Sequence, residues 1–333
     1  MRFKAALPVL LAAMSLRSGF VGASTSVEAP TALLYAIEDH FTVTDIDPKT
    51  KQVRLWLELP LEDEWQTVKN LKVSSPVPFT IKKDSKTPNR FLYIKTKNVQ
   101  KLPLEISVSF TLERKSYQLP NPSSTETKLK NYRQYLAPLP YIPVDAMTKK
   151  LAQSILGQEQ DKLKQTQKIY EYIQNNSTYY RKEPNRLKPS GVGSALYCLN
   201  EKTGNCTDFH ALFMSLTRSV GIPSEFLMGS WLSKEKEGKE DPGYHCWVKF
   251  FNERHGWVAA DAAFGNLWPE KRDFYFGNLD AQRVAFTQGR SINLAPQQKG
   301  QPLNYFLYGY AEADGKPGGK IQRKLIFRSL NNL

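Results

Sequence analysis

The feature that most restricts this 333-residue chain is a change in hydrophobic period along it. From residue 33 to about 118, apolar and polar residues alternate in short runs such as "FTVTDID", "QVRLWLELP", "FLYIKTK" and "LEISVSFTLER", divided by Pro, Asp, Asn and Lys clusters. A period of two sends successive side chains to opposite faces, so the runs predict half-buried strands in an antiparallel, sandwich-like β domain. From residue 144 the period lengthens. "VDAMTKKLAQSIL" opens on a capping Asp145, and "QDKLKQTQKIYEYIQNN" lays Leu163, Ile169, Tyr170 and Ile173 along one helical face. The polar, Pro-rich stretch "QLPNPSSTET" between the two regimes has almost nothing to bury. It divides the chain into an N-terminal β unit over 24–118, a linker over 119–143 and a second unit over 144–333.

In the second unit, an irregular Pro-, Gly- and Lys-rich stretch over 181–205 leads into "GNCTDFHALF". Phe209, Leu212, Phe213, Leu216 and Val220 recur with the helical period, and "GIP" at 221–223 ends the pattern. Asn205 stands at the N-cap position and Asp208 three residues on, the spacing of a capping box, so Cys206 is the first helical residue. Three strand-like runs follow, "SEFLMGSWL", "YHCWVKFF" and "GWVAADAAF". The charged loop between the first two is expected to be exposed and mobile, and "NERHG" between the others reads as a hairpin turn. The aromatic, Pro-punctuated tail is expected to be ordered to about residue 312.

Residues 1–23 carry the marks of an export leader: Arg2 and Lys4, then "AALPVLLAAMSL", then small residues ending at Ala23. The apolar stretch is broken by Arg17 and falls short of the roughly 20 residues that cross a bilayer, and no later stretch is apolar enough to do so. The expectation is a mature chain starting near Ser24, periplasmic or secreted. Its charge is +14, or three less without Arg2, Lys4 and Arg17. The excess is scattered Lys with no basic stripe interleaved with aromatics, which argues against a nucleic-acid partner and for solubility, with some attraction to anionic envelope polymers. Three cysteines, Cys198, Cys206 and Cys246, are too few and too odd a number for a disulfide framework. If one pair forms, Cys198 with Cys246 spares Cys206. No acidic cluster has calcium-loop spacing, and no cofactor is expected.

The chemistry gathers in the helix and the hairpin. With Glu253 central in the turn, His245 lies directly across from Asp261, and a slip of two residues still leaves them on one face. A carboxylate beside an imidazole fixes its tautomer and stabilises its protonated form. A cysteine at a helix N-terminus favours thiolate, because the backbone N–H groups and dipole there are positive. Cys206, His245 and Asp261 thus form a candidate nucleophile, general acid/base and orienter, with backbone N–H groups near Asn205 and Cys206 as candidate oxyanion donors. The competing readings are a buried thiol and a zinc site made by Cys206, His210 and His245, which leaves Asp261 unused. His210 is expected beneath the cysteine in a supporting role. Cys246 is expected to point away from His245 into the core, while Trp247 and Trp268 are candidate walls of a cleft.

"GNCTDFHALFMSLTRSVGIPSEF", followed by "GYHCWVKFF" and "GWVAADAAFG", resembles the transglutaminase-like superfamily of papain-like cysteine enzymes, and in particular an exported bacterial subgroup. "RLWLELP" and "YFGNLDAQRVAFTQGRSINL" extend the resemblance over most of the mature chain; "DAA" replaces the "DPT" of many relatives. The resemblance implies an α+β, papain-like core behind the β-sandwich. It also implies Cys206 as nucleophile, His245 as base and Asp261 as orienting acid in thioester chemistry on a protein or peptide amide, which can be a cell-envelope component. An aromatic donor upstream of the cysteine is implied as well, with Tyr180 as candidate. Acyl transfer and amide hydrolysis both remain open, as does a non-catalytic envelope-binding role on the same fold.

Overall fold

The computed structural model describes residues 32–97, 102–241 and 243–330; the leader reading over 1–23 lies outside them. Six strands form first: β1 (Ala32–Thr44), β2 (Gln52–Leu59), β3 (Gln66–Ser74), β4 (Phe79–Lys83), β5 (Arg90–Lys97) and β6 (Leu104–Lys115). The alternation expected of them holds in β6, where Leu104, Ile106, Val108, Phe110 and Leu112 are buried between more exposed neighbours. Helices α1 (Ala146–Leu156) and α2 (Lys162–Asn176) follow, then β7 (Thr178–Tyr179), α3 (Ala195–Glu201), β8 (Thr203–Gly204) and α4 (Cys206–Ser219). β9 (Ser224–Trp231), β10 (His245–Asn252), β11 (Gly256–Ala260), α5 (Ala262–Leu267) and β12 (Arg283–Gln288) complete the second unit. Three strands remain, β13 (Tyr310–Ala313), β14 (Lys316–Pro317) and β15 (Lys320–Ser329). The fold is α+β: helices packed on one antiparallel sheet, with an antiparallel β-sandwich beside it.

The boundary expected at 119–143 assigns everything after it to the second unit, and the strand pairing differs. β15 pairs along β1 in the sheet β15-β1-β6-β3, and β13 pairs with β2 in the sheet β14-β13-β2-β5-β4. The sandwich is therefore closed by the chain's last strands, with Leu325 and Phe327 buried among Ile37, Phe41, Leu57 and Ile106. Order extends well past residue 312 because each late strand completes an edge whose N–H and C=O groups need partners. The linker is likewise pinned: Ser123 and Thr127 donate backbone bonds to Arg254 and Glu253 at the hairpin turn, at 2.7 Å each, and Ile142 is buried. The charged loop is tied to β15, where Asp241 and Leu325 exchange backbone bonds and Glu237 accepts from the Ser329 N–H at 2.6 Å.

In the second unit an antiparallel sheet β11-β10-β9-β12 packs against α4. Every residue of α4 is buried, because α1, α2, α3 and α5 close round the faces that the sheet leaves open. The sandwich grips the sheet through β12. The Gln66 amide bonds the N–H and C=O of Ala285, and the Asn89 amide does the same at Gln288. Within the sheet, glycine lets β12 close on β9, since a Cβ on Gly229 in β9 would stand 1.8 Å from the Val284 carbonyl oxygen of β12. Among the described residues, no helix is long and apolar enough to cross a membrane.

Candidate active site

The site begins at the two-residue parallel pair β7–β8, which sets Tyr179 beside Gly204 just before the helix. Gly204 has no side chain for a steric reason: a Cβ there would lie 2.4 Å from Asp208 Cβ. The Asn205 side chain accepts from the N–H groups of Thr207 (3.0 Å) and Asp208 (3.3 Å), and Asp208 accepts in return from the Asn205 N–H at 3.0 Å. This reciprocal cap satisfies orphan donors of the first turn and leaves the Cys206 N–H outside the cap. Asp208 does more than cap. Fully buried, it also accepts from the N–H groups of Ser190 (3.2 Å) and Ser194 (2.8 Å) and from the Ser190 hydroxyl, fastening the loop over 190–194 to the helix start. The Asn205 amide donates to the Tyr244 hydroxyl at 2.9 Å.

The hairpin register is shifted by two residues from direct opposition. Asn252 faces Gly256 and Val248 faces Ala260, so the turn centres on Arg254. The cause is local: the Asn252 side chain accepts from the N–H groups of Arg254 and His255, and Gly256 supplies a φ of 71°. Asp261 is not a strand residue. It lies one position beyond the last pair and caps α5, its Oδ1 accepting from the Phe264 N–H at 3.0 Å. Its Oδ2 meets His245 Nε2 at 2.6 Å and Arg283 Nη1 at 3.2 Å. The Phe264 ring stacks on the imidazole, centroids 3.7 Å apart and planes 11° from parallel. With Nε2 committed to the carboxylate, His245 turns its other nitrogen to Cys206, to which it is hydrogen-bonded.

Burial is almost complete, with Cys206 and His245 each 3% exposed and Asp261 0%. Burial alone pushes a thiol up, but hydrogen bonds from Cys246 and His245, the His245 charge and the Cys246 N–H outweigh it and bring Cys206 down to about 5. Burial also opposes charge on His245, yet Asp261 and Cys206 overcome it and raise the imidazole above its ordinary value. Asp261 is held well below the usual carboxylate range: burial works against this, and His245, Arg283 and His210 prevail. The arrangement favours a thiolate–imidazolium pair.

Other residues depart from expectation. Cys246 does not point away from the site; its thiol is hydrogen-bonded to Cys206 and lies 3.3 Å from His210 Nδ1. Strand alternation fails as a guide because Cys206 faces the start of β10, where it is within reach of both His245 and its neighbour. A Cys198–Cys246 disulfide is not formed: all three thiols are free, and Cys198 instead bonds the Ser177 hydroxyl at 3.7 Å. His210 is fully buried and held down to about 3 by that burial, so it is neutral, and its Nε2 stands 3.6 Å from Asp261 Oδ1, beyond hydrogen-bonding range. Trp247 is fully buried under Arg283, 5.0 Å from the guanidinium, and is core and not a cleft wall. The Tyr180 hydroxyl accepts from Arg181 Nε at 3.2 Å, whereas Tyr179 and Tyr244 are the upstream and strand-side tyrosines whose titration feels the Cys206 charge. Among the described residues, no group of three or more His, Cys, Asp or Glu is placed to hold a metal ion. Sequence reasoning missed Arg283, Phe264 and the role of Cys246. Phe264 follows Asp261 by the three residues of a cap, which is a readable signal; nothing in "AQRVAF" marks Arg283 as the partner of that carboxylate.

Comparison with known proteins gives three findings. Residues 149–262 match the family model of the transglutaminase-like superfamily, a span that includes Cys206, His245 and Asp261. An "Uncharacterized protein" of Haemophilus influenzae is 27% identical over 306 residues, covering 80% of this chain and 82% of that protein. A crystal structure from Cytophaga hutchinsonii, described as a "Putative Cysteine Protease", aligns over 90% of this chain and 92% of that one at 18% identity with a TM-score of 0.59, a likeness of fold.

Proposed function

We propose, for a chain whose residues 149–262 match the transglutaminase-like superfamily, that it is an exported cysteine-dependent acyltransferase or amide hydrolase. The observation that carries this reading is the buried line from Cys206 through His245 to Asp261, closed by the 2.6 Å contact between imidazole and carboxylate. The Cys206 thiolate attacks an amide carbonyl, and the oxygen of the tetrahedral adduct takes its negative charge beside the Cys206 N–H at the positive end of α4. His245 gives its proton to the departing amine, leaving a thioester. Water or a second amine, deprotonated by His245, then attacks the thioester and frees Cys206. Asp261 keeps the imidazole oriented throughout, and Arg283 keeps the carboxylate ionised. The substrate is a protein or peptide amide, met outside the cytoplasm if the leader at 1–23 acts as its sequence suggests.

The test is capture of the acyl-enzyme. Incubated with amide donors from an envelope extract, the wild-type protein is expected to gain a hydroxylamine-labile mass on the Cys206 peptide, and Cys206→Ala to gain none. Equal substrate turnover by the two proteins would sink the reading. The 3% exposure of Cys206 favours a second reading, a non-catalytic binding protein that keeps the fold. In that case Cys206 reacts with iodoacetamide at pH 6 no faster than an ordinary thiol.

A further inference from the structure

The nucleophile has two hydrogen-bonded neighbours and not one. Besides His245, the Cys246 thiol and the Cys246 backbone N–H both bond the Cys206 sulfur. Behind Cys246 stands His210, its Nδ1 3.3 Å from the Cys246 sulfur, and its Nε2 faces Asp261 Oδ1 at 3.6 Å. Cys206, His245, Asp261, His210 and Cys246 thus close a buried ring in which Asp261 has an imidazole on each side. Arg283 meets the ring at Asp261, and Arg181, Arg290, Tyr179, Tyr244, Tyr305 and Tyr308 are ionisable groups that interact electrostatically with Cys206 or Cys246.

Resting on the proposed nucleophilic role of Cys206, we propose that Cys246 is a positioning residue whose S–H donates to the Cys206 thiolate and is aimed by His210. Proton placement follows from the donors present. A neutral imidazole has one N–H; in His210 Nε2 is buried without a partner, whereas Nδ1 lies 3.3 Å from the Cys246 sulfur and the ring also bonds the backbone of Cys206. A backbone carbonyl only accepts, so the bond from the ring to the Cys206 backbone puts the proton on Nδ1, beside the Cys246 sulfur. The Cys246 proton is then left for Cys206. Its own titration agrees, since burial and the adjoining Cys206 charge hold Cys246 far above an ordinary thiol, protonated whenever Cys206 is ionised. A hydrogen bond to an ionised acceptor is the stronger kind, and in a site this dry it stabilises thiolate over thiol. It also gives the sulfur a fixed donor while His245 turns to protonate the leaving group.

The measurement is the pH dependence of iodoacetamide alkylation, resolved by peptide mass spectrometry so that Cys206 is followed apart from Cys198 and Cys246. Wild type is expected to show a Cys206 midpoint near 5. Cys246→Ala is expected to move it up by about one unit, so alkylation on the acid limb falls about tenfold, while Cys246→Ser, which keeps a donor, stays within about twofold of wild type. His210→Phe, which fills the same space without the ring N–H, should move the midpoint in the same direction and gives an independent arm if Cys246→Ala does not fold. A low wild-type midpoint unchanged in Cys246→Ala and His210→Phe overturns the proposal and leaves the nucleophile standing. Equal displacement in the Ala and Ser variants overturns it too, because sulfur packing and not a donor is then what matters. An ordinary wild-type midpoint removes both this proposal and the nucleophilic reading beneath it.

Discussion

Asp261 shows how much one side chain can be asked to do. Its Oδ1 caps α5, its Oδ2 orients His245, and Arg283 compensates the charge that burial would otherwise neutralise. In the proposed mechanism, acylation requires Cys206 ionised and His245 protonated. The rate is therefore expected to rise with pH through about 5 and to fall only above the ordinary imidazole range, because the His245 midpoint is raised. Asp261→Asn keeps a cap acceptor for the Phe264 N–H but loses the charge. Its kcat/KM is expected to fall by about a thousandfold or more, with the alkaline limb displaced to lower pH, as a pH–rate profile of both proteins would reveal. A variant with wild-type limbs would mean that the carboxylate does not govern the imidazole.

The element that matters most is the first turn of α4. It is held from both sides of the chain, by the Asn205–Asp208 cap and by the loop over 190–194 whose N–H groups end on Asp208. Cys206 is thereby fixed at the helix terminus, where the dipole acts most strongly. Asp208→Asn halves the acceptors available to three backbone N–H groups and a hydroxyl in a fully buried place. The expected cost is about 2 kcal/mol of stability, with faster hydrogen exchange confined first to the loop over 190–194. Uniform loosening across the fold, read by the same exchange experiment, would argue against a local clamp.

At the level of the whole molecule, the last strand carries a charge into the sandwich core. Arg323 of β15 meets Asp39 of β1 at 2.8 Å and Glu58 of β2 at 3.0 Å, all three buried. Two carboxylates share one guanidinium. Burial, reinforced by Asp39 and opposed by Arg323, raises Glu58 to about 7. A carboxyl raised in the folded state favours folding fully below its unfolded midpoint, and this contribution is lost as pH climbs through the folded one. Between pH ~4.5 and ~7, wild type should therefore lose on the order of 3 kcal/mol from this group. Glu58→Gln keeps an acceptor for the Gly309 N–H and is expected to be as stable as wild type at pH 5 and more stable at pH 8 in thermal melts. A variant less stable at both pH values would show that the second charge is needed by Arg323.

The sequence by itself determined the period of the N-terminal strands and of α1, α2 and α4, the cap before Cys206 and the pairing of imidazole with carboxylate, because these rest on local chemistry or on contacts a short hairpin can make; α3, inside a stretch that reads as irregular, and α5, inside one that reads as a strand, were not legible. His245 and Asp261 meet despite the register shift, since a slip of two residues preserves the face. The tertiary structure decided what local chemistry cannot encode. β13 and β15 return some 250 to 290 residues along the chain to complete both sheets, and their short runs give no sign of which edge they will cover. Arg283 reaches Asp261 from β12, a strand placed by pairing along β9 and held to the sandwich through Gln66 and Asn89. Cys246 joins Cys206 because the start of α4 abuts the start of β10, a meeting of helix and strand on which alternation along either one is silent.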